Sequence, residues 1–294
     1  MNTVVKDPRV LMGRPVRDRI LSEVSSYVNK AGRIGKLVSI STGEVPEICI
    51  YVRNQAAAAR TAGLPFDQQL WSAEITQDAC KALLQEMNDD PEVLGVILQR
   101  PVPAHINVRS LQSAIHPLKD VEGMNPASIG NIVYNDVAMA PCTAAAAVEL
   151  IRETGLMLEG LEVVMVGHSE IVGKPAAHML MAAGATVTVC HHKTRSVAMH
   201  SRRADVVLVA VGKPHLIGAD MIKPGAVVID IGINQVTGAD GTVMIVGDVD
   251  TDAVKQVAGW ITPVPGGVGP VTVAILMRNA INAHQRQKDA GWIG

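Results

Sequence analysis

The stretch LEVVMVGHSEIVG at residues 161–173 decides the fold class. Its first six residues are largely apolar and contain three valines, the length and β-branched content of a strand buried on both faces. The next seven carry glycine at both ends, Gly167 and Gly173, and run into a helix expected over Val172–Ala183. Gly167 permits a tight turn and Gly173 lets helix and strand pack closely. The helix N-terminus presents unpaired N–H groups suited to a phosphate, and Lys174 adds a positive charge. The spacing is not GxGxxG, and a purely structural strand-to-helix turn has the same appearance.

The neighbouring segments decide between those readings. ATVTVC at 185–190, ADVVLVAV at 204–211 and AVVIDI at 226–231 are further β-branched runs, each ending in glycine or polar residues. Together they predict a doubly wound, Rossmann-like parallel sheet, whose ligands lie beyond the carboxyl ends of the strands. Those ends carry GHSE, HHKT, GKP and GIN. A site for NAD normally places Asp or Glu after the second strand, to accept from the ribose 2′-OH. Here the sequence is Cys190-His191-His192-Lys193-Thr194-Arg195, with no acid. Donors and cations at that point suit the 2′-phosphate of NADP; NAD remains the alternative coenzyme, and a solvated polar loop is the bland reading.

Upstream, helix and strand patterns alternate. Val16, Ile20, Val24 and Val28 space an amphipathic helix over 13–30; strands follow at 36–40 and 93–98, with helices at 46–62 and 76–87. Residues 116–143, rich in Pro, Asn, Gly and Asp, read as a domain junction. A helix over 143–154 leads into the second half, and a long helix over 271–290 closes the chain. The expected organisation is α/β throughout: a domain of residues 1–142, completed by 272–294, and a Rossmann domain of residues 143–271.

Composition narrows the function. The 294 residues carry a formal net charge of −2 and only three Trp, three Tyr and one Phe, which argues against a nucleic-acid partner. No apolar run reaches the ~18 residues of a membrane span, and the N-terminus lacks an apolar leader, so the cytoplasm is the expected location. Cys49, Cys80, Cys142 and Cys190 form no metal-ligand spacing and are expected as buried free thiols; no metal site is expected. His105, His116 and His178 read as surface or packing residues.

The motifs converge on one family. YVRNQ at 51–55, GVILQRPVP at 95–103, HPLKDVEGMNP at 116–126, PCTA at 141–144, VMVGHSEIVGKP at 164–175, KPGAVVIDIGIN at 223–234, VGDVD at 246–250 and ITPVPGGVGPVTVA at 261–274 resemble the methylenetetrahydrofolate dehydrogenase/methenyltetrahydrofolate cyclohydrolase (FolD-like) family over nearly the whole chain. The resemblance implies an N-terminal folate-binding domain and a C-terminal dinucleotide-binding domain separated by a cleft, a tetrahydrofolate one-carbon substrate and a homodimer. It implies that Tyr51 packs against the folate and that Gln99 lies near the reacting nitrogens. It also implies that the loop containing Lys119, Asp120, Val121, Glu122 and Gly123 grips the pterin, and that Pro263, Gly266 and Gly267 line the substrate side of the nicotinamide. The dinucleotide is expected at Gly167, His168, Ser169, Ile171, Val172, Gly173, His191 and His192. Val211, Gly212, Ile233, Asn234 and Thr272 are expected to complete that site.

Six departures matter. The family's catalytic lysine, one helical turn after the tyrosine, is Gln55 here, and Arg53 and Asn54 face elsewhere. Glu122 stands for the usual Asp, Arg100 for Leu and Ile48 for Ser. An Arg and a Ser that hold the 2′-phosphate in NADP-using relatives correspond to His168 and His192. Hydride transfer from the one-carbon bridge is driven by the folate's own nitrogens and asks the protein only for orientation. Hydrolysis of the methenyl product moves protons and calls for a titratable group in reach. Lysine can be tuned for that task and glutamine cannot. The expectation is therefore an NADP-dependent dehydrogenase with weak or absent cyclohydrolase activity. A bifunctional enzyme and an inactive folate- or nucleotide-binding paralogue are the alternatives.

Overall fold

The computed structural model describes residues 9–238 and 241–293. In chain order the elements begin β1 (Arg9–Val10), α1 (Gly13–Ala31), β2 (Lys36–Thr42), α2 (Pro46–Ala62), β3 (Phe66–Trp71), α3 (Gln77–Asp89), β4 (Val93–Leu98), α4 (Val108–Ala114), α5 (Pro126–Val133) and α6 (Cys142–Glu153). They continue with β5 (Glu162–Val166), α7 (Gly173–Ala182), β6 (Thr186–Cys190), α8 (Val197–Ser201), β7 (Val206–Val209), β8 (Val227–Asp230), β9 (Asn234–Thr237), β10 (Val243–Val246), α9 (Thr251–Val254), β11 (Trp260–Ile261) and α10 (Val268–Asp289). The apolar stripe of α1, Val16, Ile20, Val24 and Val28, is buried throughout, as its four-residue spacing requires. Pro46 opens α2 at a position where its missing N–H costs nothing, and the Thr76 hydroxyl caps α3 by accepting from Ala79 N–H at 3.2 Å.

The chain divides into two compact units. One comprises residues 17–142 with 273–293; the other comprises residues 9–16 with 143–272, among the described residues. The divisions fall inside α1, between Cys142 and Thr143 of α6, and inside α10.

The first unit holds a three-stranded sheet in the order β3-β2-β4, both pairings parallel. All six residues of β4 are buried, which fits a strand covered on both faces. β3, with the sequence FDQQLW, escapes sequence reading because it is an edge strand with three polar residues in a row at its centre and no apolar alternation. The stretch expected as a junction packs inside this unit. Asn279 donates from Nδ2 to the carbonyls of Val121 and Ala140, and Arg286 pairs with Asp136. The stretch 116–142 holds α5 and is tied to α10 by these side chains, and the two units divide at its C-terminal end, between Cys142 and Thr143.

The second unit holds a six-stranded sheet in the order β1-β11-β8-β7-β5-β6, every pairing parallel. A separate antiparallel ribbon joins β9 and β10. Here the structure corrects the expected boundary, because residues 9–16 belong with this sheet and not with the N-terminal domain. Arg9 and Val10 pair with Trp260 and Ile261, and Leu11 N–H donates to the Ile261 carbonyl at 2.8 Å. Two-residue strands held by backbone bonds leave no side-chain period to read.

Candidate active site

In the first unit the site grows from the carboxyl ends of β2 and β4. These strands lie side by side with Ile40 opposite Leu98, and the Gln99 N–H continues the ladder to the Ile40 carbonyl at 2.9 Å. The Gln99 side chain is thereby turned toward α2. Its Nε2 donates to Gln55 Oε1 at 2.7 Å and to Ser39 Oγ at 3.0 Å, all three residues being buried. Gln55 is only 8% exposed, which excludes a solvent-facing helical glutamine at this position. Tyr51, one turn earlier, is 51% exposed, so its ring is not a core residue and is open to a ligand. Arg53 and Asn54 are exposed on the other side of α2.

Glu122 reaches the same strand end. Its Oε2 accepts the Leu98 N–H at 2.8 Å, and burial pushes its carboxyl up to about 7. The Leu98 hydrogen bond and the nearby Arg100 charge oppose that rise, and Asp120 adds to it. The loop that carries Glu122 is strongly constrained. Gly123 has φ +70°, and a Cβ there would stand 2.4 Å from the Met139 carbonyl oxygen. The Asp120 carboxylate accepts from Met124 N–H, Asn125 N–H and Ser128 Oγ, and is buried. Asp120, expected to touch the pterin, is thus occupied within its own loop. The Lys119 amine is likewise committed, donating at 2.7 Å to the carbonyls of Met87 and Asp90 at the end of α3.

The second unit gathers the remaining candidates. At the turn after β5, Gly167 has φ +120°, and an added Cβ would stand 2.2 Å from the Ala210 carbonyl oxygen. A Cβ on Gly173 would stand 2.2 Å from the Gly167 carbonyl, so both glycines permit close backbone approach. Between them, Ser169 Oγ accepts from Val172 N–H and Gly173 N–H. Those N–H groups are therefore partly capped, and the Ser169 hydroxyl proton becomes the outward donor. Beyond β5 and β6 the rings of His168, His191 and His192 cluster, with centroids 4.7, 5.8 and 6.2 Å apart. Lys174 lies close enough for its charge to act on His168. Imidazole donors with Lys174 nearby fit a phosphorylated ribose.

Sequence reading missed the residues that hold the strand ends. Asp248, fully buried, accepts from Val211 N–H, Gly212 N–H, Lys213 N–H and Asn234 Nδ2 at 2.6–3.0 Å. It thereby ties together the loop after β7 and the start of β9. Asp230 accepts from Gly232, Asp248 and Val249 N–H, and burial raises it to about 6, with the Asp248 charge contributing. Ser39 and Asp248 each left a signal: a polar residue inside an apolar strand, and an acid in VGDVD. Neither signal says what the side chain meets.

Pro263, Gly266 and Gly267 form the turn before α10, with Gly267 N–H donating to the Pro263 carbonyl at 2.8 Å and Gly13 N–H to that of Gly266 at 2.9 Å. Thr272 back-bonds to the Val268 carbonyl in the first turn of α10. Ile233 is exposed. Of the cysteines, Cys80 and Cys190 are buried, Cys142 is partly buried and Cys49 is exposed, which corrects the expectation for Cys49. Among the described residues no group of His, Cys, Asp or Glu is arranged to hold a metal ion, and no helix is long and apolar enough to cross a membrane.

Residues 11–122 match the tetrahydrofolate dehydrogenase/cyclohydrolase catalytic domain, and residues 141–288 match the NAD(P)-binding domain of the same family. The chain belongs to the tetrahydrofolate dehydrogenase/cyclohydrolase family. It is 82% identical to "Bifunctional protein FolD 3" of Roseobacter denitrificans, over 98% of this chain and 99% of that protein. The crystal structure of the bifunctional enzyme FolD, a methylenetetrahydrofolate dehydrogenase/cyclohydrolase, from Campylobacter jejuni superposes with a TM-score of 0.89 at 35% identity. That match covers 95% of this chain and 99% of that one. A Trypanosoma brucei methylenetetrahydrofolate dehydrogenase-cyclohydrolase, complexed with NADP cofactor and inhibitor, gives 0.89 at 34% identity, over 96% of this chain and 98% of that one. Family membership makes this a two-domain α/β enzyme with an NAD(P)-binding, Rossmann-like domain, working in folate one-carbon chemistry.

Proposed function

We propose that this family member oxidises 5,10-methylenetetrahydrofolate to 5,10-methenyltetrahydrofolate by hydride transfer to NADP, with cyclohydrolase activity weak or absent. NADP, when bound, supplies the hydride acceptor. Tyr51 offers an exposed ring as a platform for the pterin. The Glu122 carboxyl, placed at the end of β4, exchanges hydrogen bonds with the pterin amino group and ring N–H. The Gln99 and Gln55 amides orient the reacting nitrogens, and hydride loss needs no protein acid or base. In the other unit, the backbone and side chains of 167–173, with His191, His192, Val211, Gly212, Ile233, Asn234 and Thr272, hold the dinucleotide. Pro263, Gly266 and Gly267 line the substrate side.

One observation supports weak or absent hydrolysis. Gln55 is buried and hydrogen-bonded to Gln99, and an amide has no proton to exchange near neutral pH. Two absorbance assays test the reading. Purified protein with methylenetetrahydrofolate should reduce NADP, and added methenyltetrahydrofolate should decay no faster than in buffer. Rapid enzymatic decay overturns the monofunctional reading.

A second reading, the bifunctional enzyme, is favoured by Glu122. Its carboxyl, raised to about 7, is a titratable group at the same strand end. Loss of hydrolysis in Glu122→Gln with hydride transfer retained would select it. The same proposal takes the protein to be a cytoplasmic homodimer acting on a tetrahydrofolate one-carbon derivative, with neither nucleic acid nor membrane as partner. Sedimentation of the purified protein tests the assembly.

A further inference from the structure

In the first unit the chain turns back after α10. Gly291 has φ +72°, and Trp292 N–H donates to the Gln287 carbonyl at 2.9 Å. The Trp292 indole, 41% exposed, walls a cavity of about 290 Å³. That volume is at the small end of the range for ligand pockets and has room for a bicyclic ring. Leu94 of β4, buried, supplies apolar wall, and the exposed ion pair of Arg33 and Glu92, at 2.7 Å, stands at the mouth. None of the lining residues is among those proposed to hold the folate or the dinucleotide.

Two buried polar side chains of α10, His284 and Gln287, lie three residues apart on one helix face and line this cavity. Gln287 Nε2 donates to the carbonyls of Leu94 and Leu118 at 2.8 and 2.9 Å. Two acceptors on that atom fix the orientation of the amide, and its Oε1 has no donor among the described residues. His284 Nδ1 lies 2.9 Å from the Tyr27 hydroxyl, and the two rings meet edge-on with centroids 5.8 Å apart. The other ring nitrogen, Nε2, has no partner among the described residues. Buried polar atoms are as a rule hydrogen-bonded, and these two are not sealed off by the protein but open on the cavity.

Their chemistry defines the occupant. Gln287 Oε1 can only accept, so the ligand must offer it a donor; His284 Nε2 takes either role with its tautomer. Burial and the Lys288 charge hold His284 below its ordinary value, which keeps the ring neutral. Arg33 and Glu92 cancel one another, and the nearby Lys119 amine is committed to two carbonyls. The indole favours a flat partner. We propose that this cavity binds a neutral, planar nitrogen heterocycle, its ring against Trp292 and its N–H edge on Gln287 Oε1 and His284 Nε2.

Benzimidazole, flat and carrying an N–H, is the probe, and 1-methylbenzimidazole, which lacks the N–H, is its control. Calorimetric titration of the full chain at about pH 8 keeps probe and imidazole uncharged. Benzimidazole should bind with a Kd below about 1 mM, and the methylated probe at least about fivefold more weakly. Trp292→Ala should lose at least about fivefold in affinity, and Trp292→Phe should keep most of it. Hydrogen exchange should slow around Leu94 and across 287–292 when the probe is added. Equal binding of the two probes overturns the proposal, as does full affinity in folded Trp292→Ala. Displacement of the probe by NADP or by a folate analogue overturns it too, by placing the probe in another site. So does an absence of binding at about 5 mM probe, the result expected of a cavity that holds water only. Should Trp292→Ala fail to fold, the probe pair and Trp292→Phe still decide.

Discussion

At the scale of single residues, the chemistry turns on Gln55 and Glu122. Gln55 accepts from Gln99 at a buried point one helical turn from an exposed tyrosine. Replacing it with lysine puts a titratable group at that point, and the Gln99 amide can flip to present oxygen to the new ammonium. Gln55→Lys should therefore accelerate methenyltetrahydrofolate hydrolysis by about 100-fold or more, with hydride transfer changed far less. Unchanged decay of the methenyl absorbance in the folded variant counts against the proposed role of this position. Glu122 predicts a pH effect. Its carboxyl titrates at about 7 in the folded chain against a reference value of 4.5, so between these values the folded state binds more protons than the unfolded one. The stability it contributes is present below about pH 4.5 and is lost as pH rises through about 7. Glu122→Gln removes that slope. Its melting temperature relative to the wild type should rise with pH across this window, and a pH-independent difference would refute the raised carboxyl. The sequence exposed both residues as departures from a pattern, but not their surroundings, because burial and hydrogen-bond partners come from β2 and β4.

At the scale of elements, strands and loop ends are held by buried acids and one buried lysine that no local pattern foretells. Asp248 satisfies three successive N–H groups after β7 and the side chain of Asn234. Asp248→Ala leaves those donors without a buried partner and should cost about 3 kcal/mol in urea unfolding. It should also raise KM for the dinucleotide more than it lowers kcat, because the loop it holds binds and does not react. Equal losses in both would place Asp248 elsewhere in the mechanism. Lys119→Met should destabilise by about 2 kcal/mol, since the carbonyls of Met87 and Asp90 both lose their donor. Several elements were legible: α1 lies where its apolar spacing puts it, β4 where its continuous apolar run puts it, and α2 within the bounds expected of it. β1, β3, β11 and the β9–β10 ribbon were not, because they are short, polar or edge-paired.

At the scale of the whole molecule, the two compact units predict where each ligand acts. Hydrogen exchange with NADP should slow amides in 167–173, 190–195 and 211–213, and a folate analogue should slow those around 51–55, 97–100 and 119–124. NADP protection confined to the folate set would refute the proposed division of roles. The sequence by itself determined the α/β class, the Rossmann character of the second unit, the family and the glutamine at position 55. Each of these is written in local periodicity or contiguous motifs. Only the tertiary structure decided that residues 9–16 complete the second sheet, that Asp120 serves its own loop and Lys119 the end of α3, that Gln55 is buried against Gln99, and that three histidines from two loops meet. Those facts depend on which segments pack together, and residues distant along the chain share no period from which to read it.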